Sequence, residues 1–118
     1  MLLVSKEDVA VHIHQCIQLT AKRLGLQDIE WKDSDDLFSE IEEMDSSVYA
    51  TLQAYFSAYR QWHDFHVWIE TNGKASRLDN HEKNRLGILM QERDGKRQAI
   101  IALLDQKAPI PQNNPRGR

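Results

Sequence analysis

One stretch of the chain, residues 48–69, repeats apolar or aromatic side chains at a regular helical spacing and contains neither glycine nor proline. The spacing alternates between four and three residues, which is the pattern of the buried positions of packed helices. These seam positions are Val48, Leu52, Tyr55, Tyr59, Trp62, His66 and Ile69. Seven of the nine aromatic residues fall in or beside this repeat: Tyr49, Tyr55, Phe56, Tyr59, Trp62, Phe65 and Trp68. The pattern predicts a long central helix with apolar side chains on more than one face.

Two other long segments have the signals of helices. The first, residues 6–24, has apolar side chains at helical spacing and stops at a glycine. The last, residues 79–107, opens with a capping box formed by Asp79 and Glu82. Its middle is a polar octad, residues 91–98, without any apolar side chain. The octad leaves three possibilities open: this helix could project beyond its neighbours, break at the octad, or cross the seam of the central helix beside His63 and His66.

A short acidic helix is expected between the first helix and the central one. Asp33 or Ser34 can act as its N-cap. Its apolar stripe consists of Leu37, Ile41 and Met44. The loop that precedes it carries Ile29 and Trp31, and we expect both side chains to fold back onto the core.

These elements predict an all-α fold, an antiparallel helical bundle of three long helices plus the short acidic helix, in one domain over residues 1–107. Residues 108–118 contain all three prolines and predict a disordered tail. A β-hairpin over residues 65–78 is the alternative to the end of the central helix, because Asn72-Gly73 is a strong hairpin signal. The second apolar face of the central helix also predicts a dimeric bundle.

The charges divide the chain into an acidic and a basic part. Residues 1–73 carry five Lys/Arg against 13 Asp/Glu, whereas residues 74–118 carry ten against five. The acids that we expect to steer a basic partner are Asp33, Asp35, Asp36, Glu40, Glu42 and Glu43. In the alternative interpretation, the two parts fold against each other and neutralise their charges. The basic part could instead serve a small nucleic-acid-associated regulator, but acids interrupt its bases, so a nucleic-acid partner is not favoured.

The remaining composition excludes several classes of protein. No run approaches the roughly 20 apolar residues of a membrane span, so we expect a cytoplasmic protein without a membrane partner. Cys16 is the only cysteine, which excludes an internal disulfide and a zinc site of the paired-cysteine type. Glycine-rich phosphate loops and the nucleophile-elbow and zinc-protease motifs are absent from the sequence.

The histidines are the main candidates for chemistry. His63-Asp64 resembles the metal-binding doublet of the HD phosphohydrolases, a resemblance that implies a metal-dependent helical hydrolase as an alternative function. His63 and His66 are spaced i, i+3, and His12 and Cys16 are spaced i, i+4, so both pairs could ligate a metal. Buried histidines among aromatic side chains are the simpler interpretation. The sequence therefore predicts no metal, no cofactor and no catalytic residue.

The function that the sequence favours is a non-enzymatic protein–protein interaction module of the adaptor, chaperone or inhibitor type. The aromatic residues of the central helix would be its anchors, because interface cores are enriched in such side chains. Tyr49, Phe56, Phe65 and Trp68 lie off the seam, and a small bundle should leave part of them uncovered. Either a homodimer or the helix of another protein would then cover them, unless the neighbouring helices already do.

Overall fold

The computed structural model describes residues 6–107, with side chains described from Val9 onward, and consists of four α-helices and a short 3-10 helix. The helices are α1 (Lys6–Arg23), α2 (Ser34–Met44), α3 (Ser46–Thr71) and α4 (Asn80–Lys107), and the 3-10 helix, Ile29–Trp31, lies between α1 and α2. The described residues form no strand. The prediction of an all-α bundle is confirmed, whereas the prediction for residues 108–118 lies outside the described residues.

Helices α3 and α4 form a long antiparallel hairpin. At its base, the Asp45 carboxylate accepts hydrogen bonds from the backbone N–H groups of Ser47 and Val48 and thereby caps α3. The same carboxylate lies 3.1 Å from Nζ of Lys107, the last residue of α4, at the same end of the hairpin. One N-cap residue therefore also ties the start of α3 to the end of α4.

The connection between α3 and α4 contradicts the β-hairpin alternative. Helix α3 continues to Thr71, and Gly73 ends it in a left-handed conformation with φ of 63°. The predicted capping box then starts α4, because Asp79 Oδ1 accepts from the N–H of Glu82 and the Glu82 carboxylate accepts from the N–H of Asp79. Helix α4 runs without a break through the polar octad.

Helix α1 packs on α3 in the opposite direction, and α2 covers the adjacent face. Val9 and Ile13, near the start of α1, lie beside His63, whereas Thr20, near its end, lies beside Leu52. Helices α1 and α4 therefore run in the same direction on α3. The main core draws on all four helices, with Ile13, Ile17 and Ala21 from α1, Leu37 and Ile41 from α2, Val48, Leu52 and Phe56 from α3, and Ile100 and Leu104 from α4.

The expected burial of Trp31 and Met44 is wrong, and one of the four off-seam aromatic residues, Phe56, is fully covered. Phe56 is only 1% exposed, because α3 follows α2 so closely in the chain that Phe38 of α2 packs against both Phe56 and Tyr49. Trp31 does not return to the core and is 84% exposed, because Ile29 occupies the inner side of the 3-10 helix. Met44, in the last turn of α2, is exposed although Leu37 and Ile41 of the same stripe are fully buried.

Among the helices described for residues 6–107, none is both long enough and apolar enough to cross a membrane.

Candidate functional site

A groove between α1 and α4 is the candidate functional site. Both helices pack on α3, but they leave a cavity of about 280 Å³ between them, with Leu52 and Tyr55 of α3 at its floor. Its walls and rims come from side chains at helical spacing on the two flanking helices: Gln15, Cys16, Leu19 and Thr20 from α1, and Arg97, Ile100, Ile101 and Leu104 from α4. Leu19 is 63% exposed, so one rim of the groove is an uncovered aliphatic side chain. The groove therefore combines an apolar floor with an open top.

One end of the groove contains a cluster of polar side chains. Nε2 of His12 lies 2.9 Å from the Tyr55 hydroxyl and 3.6 Å from Sγ of Cys16. The His12 ring also stacks on Tyr59, with ring centroids 4.5 Å apart. Because His12 and Cys16 are one helical turn apart on α1, the helix itself brings them together, and α3 supplies the phenol. We call His12, Cys16 and Tyr55 the polar cluster.

The polar cluster carries no charge at neutral pH. Burial, and then the nearby Arg97 guanidinium, lowers the pKa of His12 below its ordinary value of 6.5. Burial raises the pKa of Cys16, although Arg97 opposes this shift, and burial also raises the pKa of Tyr55 to about 12. Among the residues that line the groove, Arg97 is therefore the one ionised side chain.

These electrostatics argue against a thiol nucleophile. A reactive cysteine needs a thiolate, usually with an imidazolium beside it, and the pKa shifts of Cys16 and His12 both favour the neutral forms. The geometry points the same way, because Cys16 and Tyr55 both approach Nε2 of His12. In a catalytic triad, the nucleophile and the orienting group use opposite nitrogens of the imidazole. The cluster is instead suited to hydrogen bonding at a binding surface.

The structure distributes the predicted aromatic anchors over four environments. Tyr55 and Phe56 both belong to the core, and Tyr55 also forms part of the floor of the groove. Trp62 packs under Arg93 of α4, with the guanidinium carbon 4.5 Å from its ring centroid. Phe65 and Trp68 stack on each other further along α3, with ring centroids 5.5 Å apart. The seven aromatic residues therefore do not form one continuous surface.

The stacked pair of Phe65 and Trp68 also has cationic neighbours. The guanidinium carbon of Arg85 lies 5.2 Å from the centroid of the Phe65 ring, and Nζ of Lys74 lies 5.5 Å from that of Trp68. Each ring thus already has one aromatic and one cationic partner within the hairpin. Trp68 is nevertheless 41% exposed, so this pair forms part of the outer surface.

The predicted acidic patch lies on and before α2, away from the groove. Asp33 caps α2 by accepting a hydrogen bond from the N–H of Asp36, and Glu40 forms an ion pair with Lys32 at 2.8 Å. The exposed members of the patch are Asp33, Asp35, Asp36, Glu42 and Glu43, whereas Glu40 is half-buried. No acid of the patch lines the groove. Anchors and acids are therefore not parts of one site.

The two residues of the His-Asp doublet differ strongly in burial. His63 is buried, Asp64 is exposed, and Nδ1 of His63 lies 3.9 Å from the Asp64 carboxylate. His66 stacks on Trp62 instead of facing His63, and its imidazole lies 4.0 Å from the Glu70 carboxylate. Residues 6–107 contain no group of three or more His, Cys, Asp or Glu side chains placed to hold a metal ion.

Sequence reasoning missed the residues of α4 that complete the groove. Arg97 belongs to the polar octad, in which it is one of several charged residues and has no distinguishing pattern. Leu19 gave a weak signal, since it is an aliphatic residue outside the buried stripe of α1. Neither residue could show that α1 and α4 lie side by side on α3 with a groove between them.

No protein-family model matches the chain, and neither a curated protein nor a solved structure is significantly similar to it. Any assignment of function therefore depends on the residues themselves.

Proposed function

We propose that the protein is a non-enzymatic interaction module that binds an amphipathic helix of another protein in the groove between α1 and α4. The observation that carries the proposal is the open apolar groove itself, with its exposed rim residue Leu19. An amphipathic helix that lays its apolar face into such a groove is a recurring mode of peptide recognition. The docked helix would pack on the bundle as an additional helix.

The dimensions of the groove fit this occupant. The α1 residues that line it run from His12 to Thr20, which corresponds to roughly two helical turns. Helices α1 and α4 run in the same direction on either side, so a helix placed between them packs on both. Apolar side chains at i, i+4 and i+7 would then contact Leu19, Ile101 and Leu104.

The proposal changes the role of the aromatic residues. Tyr55 would contact a partner through the 5% of its surface that is exposed, at the floor of the groove, whereas Phe56 does not line the groove and has a role only in the core. Binding energy would come mainly from the aliphatic rims and floor. The acidic patch on α2 would remain outside the contact.

The test is a selection from a displayed library of amphipathic helical peptides of about 14 residues, a length that folds readily on a preformed surface. Selected peptides should protect Cys16 from alkylation, because the single thiol of the chain lines the groove. Leu19→Glu should abolish binding. Ile88→Glu is the matched control, because Ile88 is 60% exposed on α4 and does not line the groove.

Two results would contradict the proposal. One is a library that yields no peptide protecting Cys16. The other is a set of peptides that lose affinity with Ile88→Glu as much as with Leu19→Glu, since binding would then not depend on the groove. Circular dichroism of both variants shows whether each retains the helical fold.

A further inference from the structure

We infer that the helix bound in the groove carries an acidic side chain that pairs with Arg97, an inference that rests on the proposed function. Arg97 is exposed, lies on the α4 side of the groove, and faces the polar cluster on the other side. A carboxylate one turn from the apolar anchors of the partner would reach both the guanidinium and the cluster. Guanidinium and carboxylate form two parallel hydrogen bonds when they meet in this way.

The main argument is the cost of dehydrating Arg97. A helix that fills the groove removes water from the guanidinium, and a buried charge without a partner is strongly destabilising. A neutral or basic helix would leave that charge unpaired, whereas an acidic side chain neutralises it. Arg97 therefore selects against most amphipathic helices as well as in favour of one class.

The residues that line the groove cannot supply the missing negative charge. Asp94, nearly one turn before Arg97 on α4, interacts with it electrostatically, but it lies outside the groove and already pairs with Arg93 at 2.9 Å. The other polar side chains of the groove are Gln15, Thr20 and the polar cluster, and all are uncharged at neutral pH. The Tyr55 hydroxyl and the Cys16 thiol can still donate hydrogen bonds to an incoming carboxylate. The shifted pKa values of the cluster support this state, because they keep the phenol and the thiol protonated.

Neither α2 nor residues 108–118 is a suitable occupant. The acidic helix α2 has the right charge, but Leu37 and Ile41, the apolar residues it would need as anchors, are fully buried in its own core. Residues 108–118 contain no Asp or Glu, and they contain two arginines. A second copy that docked groove to groove would bring Arg97 towards a like charge. The partner is therefore a different protein with an acidic amphipathic helix.

The experiment uses the displayed library with its polar positions randomised. The wild-type protein should enrich peptides with Asp or Glu at one fixed position relative to the apolar anchors. Replacing that acid by Gln in a selected peptide should weaken binding by roughly tenfold or more, the scale of breaking a desolvated charge pair. With Arg97→Gln as the receptor, the same replacement should have little effect, and Arg97→Glu should enrich Lys or Arg at that position.

The control is Lys96→Gln, which changes the net charge by the same amount at a neighbouring exposed residue outside the groove. It should keep the preference for an acid. Peptides that protect Cys16 but show no acidic preference would overturn this inference and leave the proposed function standing. An acidic preference that Lys96→Gln removes as fully as Arg97→Gln does would also overturn it, because general attraction would then explain the preference. Failure to select any groove-binding peptide would overturn both.

Discussion

His63 is a buried polar side chain that the fold leaves partly unsatisfied. It is 3% exposed, and its Nε2 has no hydrogen-bond partner among the described residues. Its Nδ1 lies 3.9 Å from the Asp64 carboxylate, which is beyond hydrogen-bond distance. A buried polar group without a partner costs about 1–3 kcal/mol of stability. We therefore predict that His63→Leu stabilises the protein.

The size of the effect follows from two opposing contributions. Leucine removes the unpaired nitrogen, but its different shape costs up to about 1.5 kcal/mol in a packed interior. The net gain should be about 1 kcal/mol in the free energy of unfolding. For a chain of 118 residues that corresponds to a Tm increase of about 4 °C. His63→Gln, which keeps a polar group at the site, should not share the gain.

Urea denaturation at pH 7.5, followed by the helical circular dichroism signal, measures these differences. His81→Leu is the matched control, since His81 is exposed on α4 and its replacement should change the free energy by no more than about 0.5 kcal/mol. A His63→Leu variant less stable than wild type by 1 kcal/mol or more, beside a His63→Gln variant of wild-type stability, would refute the reasoning. It would mean that Nε2 has a partner, such as an internal water.

Three further predictions concern titration, reactivity and assembly. Hydrogen bonds from Ser47 and Lys107 lower the pKa of Asp45 from 3.8 to about 2. The stability that Asp45 contributes should therefore be complete above pH 3.8 and disappear as the pH falls towards 2, and Asp45→Asn should flatten this part of a plot of stability against pH. Because burial raises the pKa of Cys16, its thiol should react with a disulfide reagent at pH 7.5 more slowly than in the urea-unfolded chain, and equal rates would contradict the assigned environment. If the predicted homodimer forms through the stacked pair of Phe65 and Trp68, Trp68→Glu should reduce the mass measured by light scattering to that of one chain. A wild-type protein that already has the mass of one chain would exclude the dimer.

The helices could be predicted from the sequence because their signals are local. Capping residues such as Asp33 and the pair Asp79 and Glu82 determine where helices begin, and each contact lies within one turn. The long repeat of α3 also identified Val48 and Leu52 as core residues. Local periodicity states which side chains share a face, and that was sufficient for the fold class.

Periodicity could not state which face meets which neighbour. Phe56 lies off the seam and His66 lies on it, yet Phe56 is buried and His66 is only half-buried. The reason is the single-residue link at Asp45, which holds α2 against the off-seam face of α3. His63 is buried for a similar reason, because the start of α1 covers it beside Val9 and Ile13. Burial in this protein therefore depends on where the shorter helices cross α3.

The candidate site depended still more on distant contacts. Cys16 and Arg97 lie about 80 residues apart in the chain and share a groove only because α1 and α4 run in the same direction on α3. Composition could show an acidic and a basic part of the chain, but it could not show which charge would face a partner. In the proposed complex, a single arginine at the groove would have more influence on recognition than the larger acidic patch, because docking would dehydrate the arginine and leave the patch in water.

With the proposed acidic partner, the acidic patch would nevertheless affect recognition through repulsion. An acidic helix that approaches the α2 side meets Asp35, Asp36, Glu42 and Glu43, none of which has a described ion-pair partner. Like charges at that surface raise the free energy of a misplaced complex, and Arg97 lowers the free energy of the correct one. The long-range part of this repulsion weakens with salt, whereas the desolvated pair at Arg97 is screened much less. The acidic patch and Arg97 lie on different sides of α1. Together they would therefore direct partners with an acidic helix to the groove between α1 and α4.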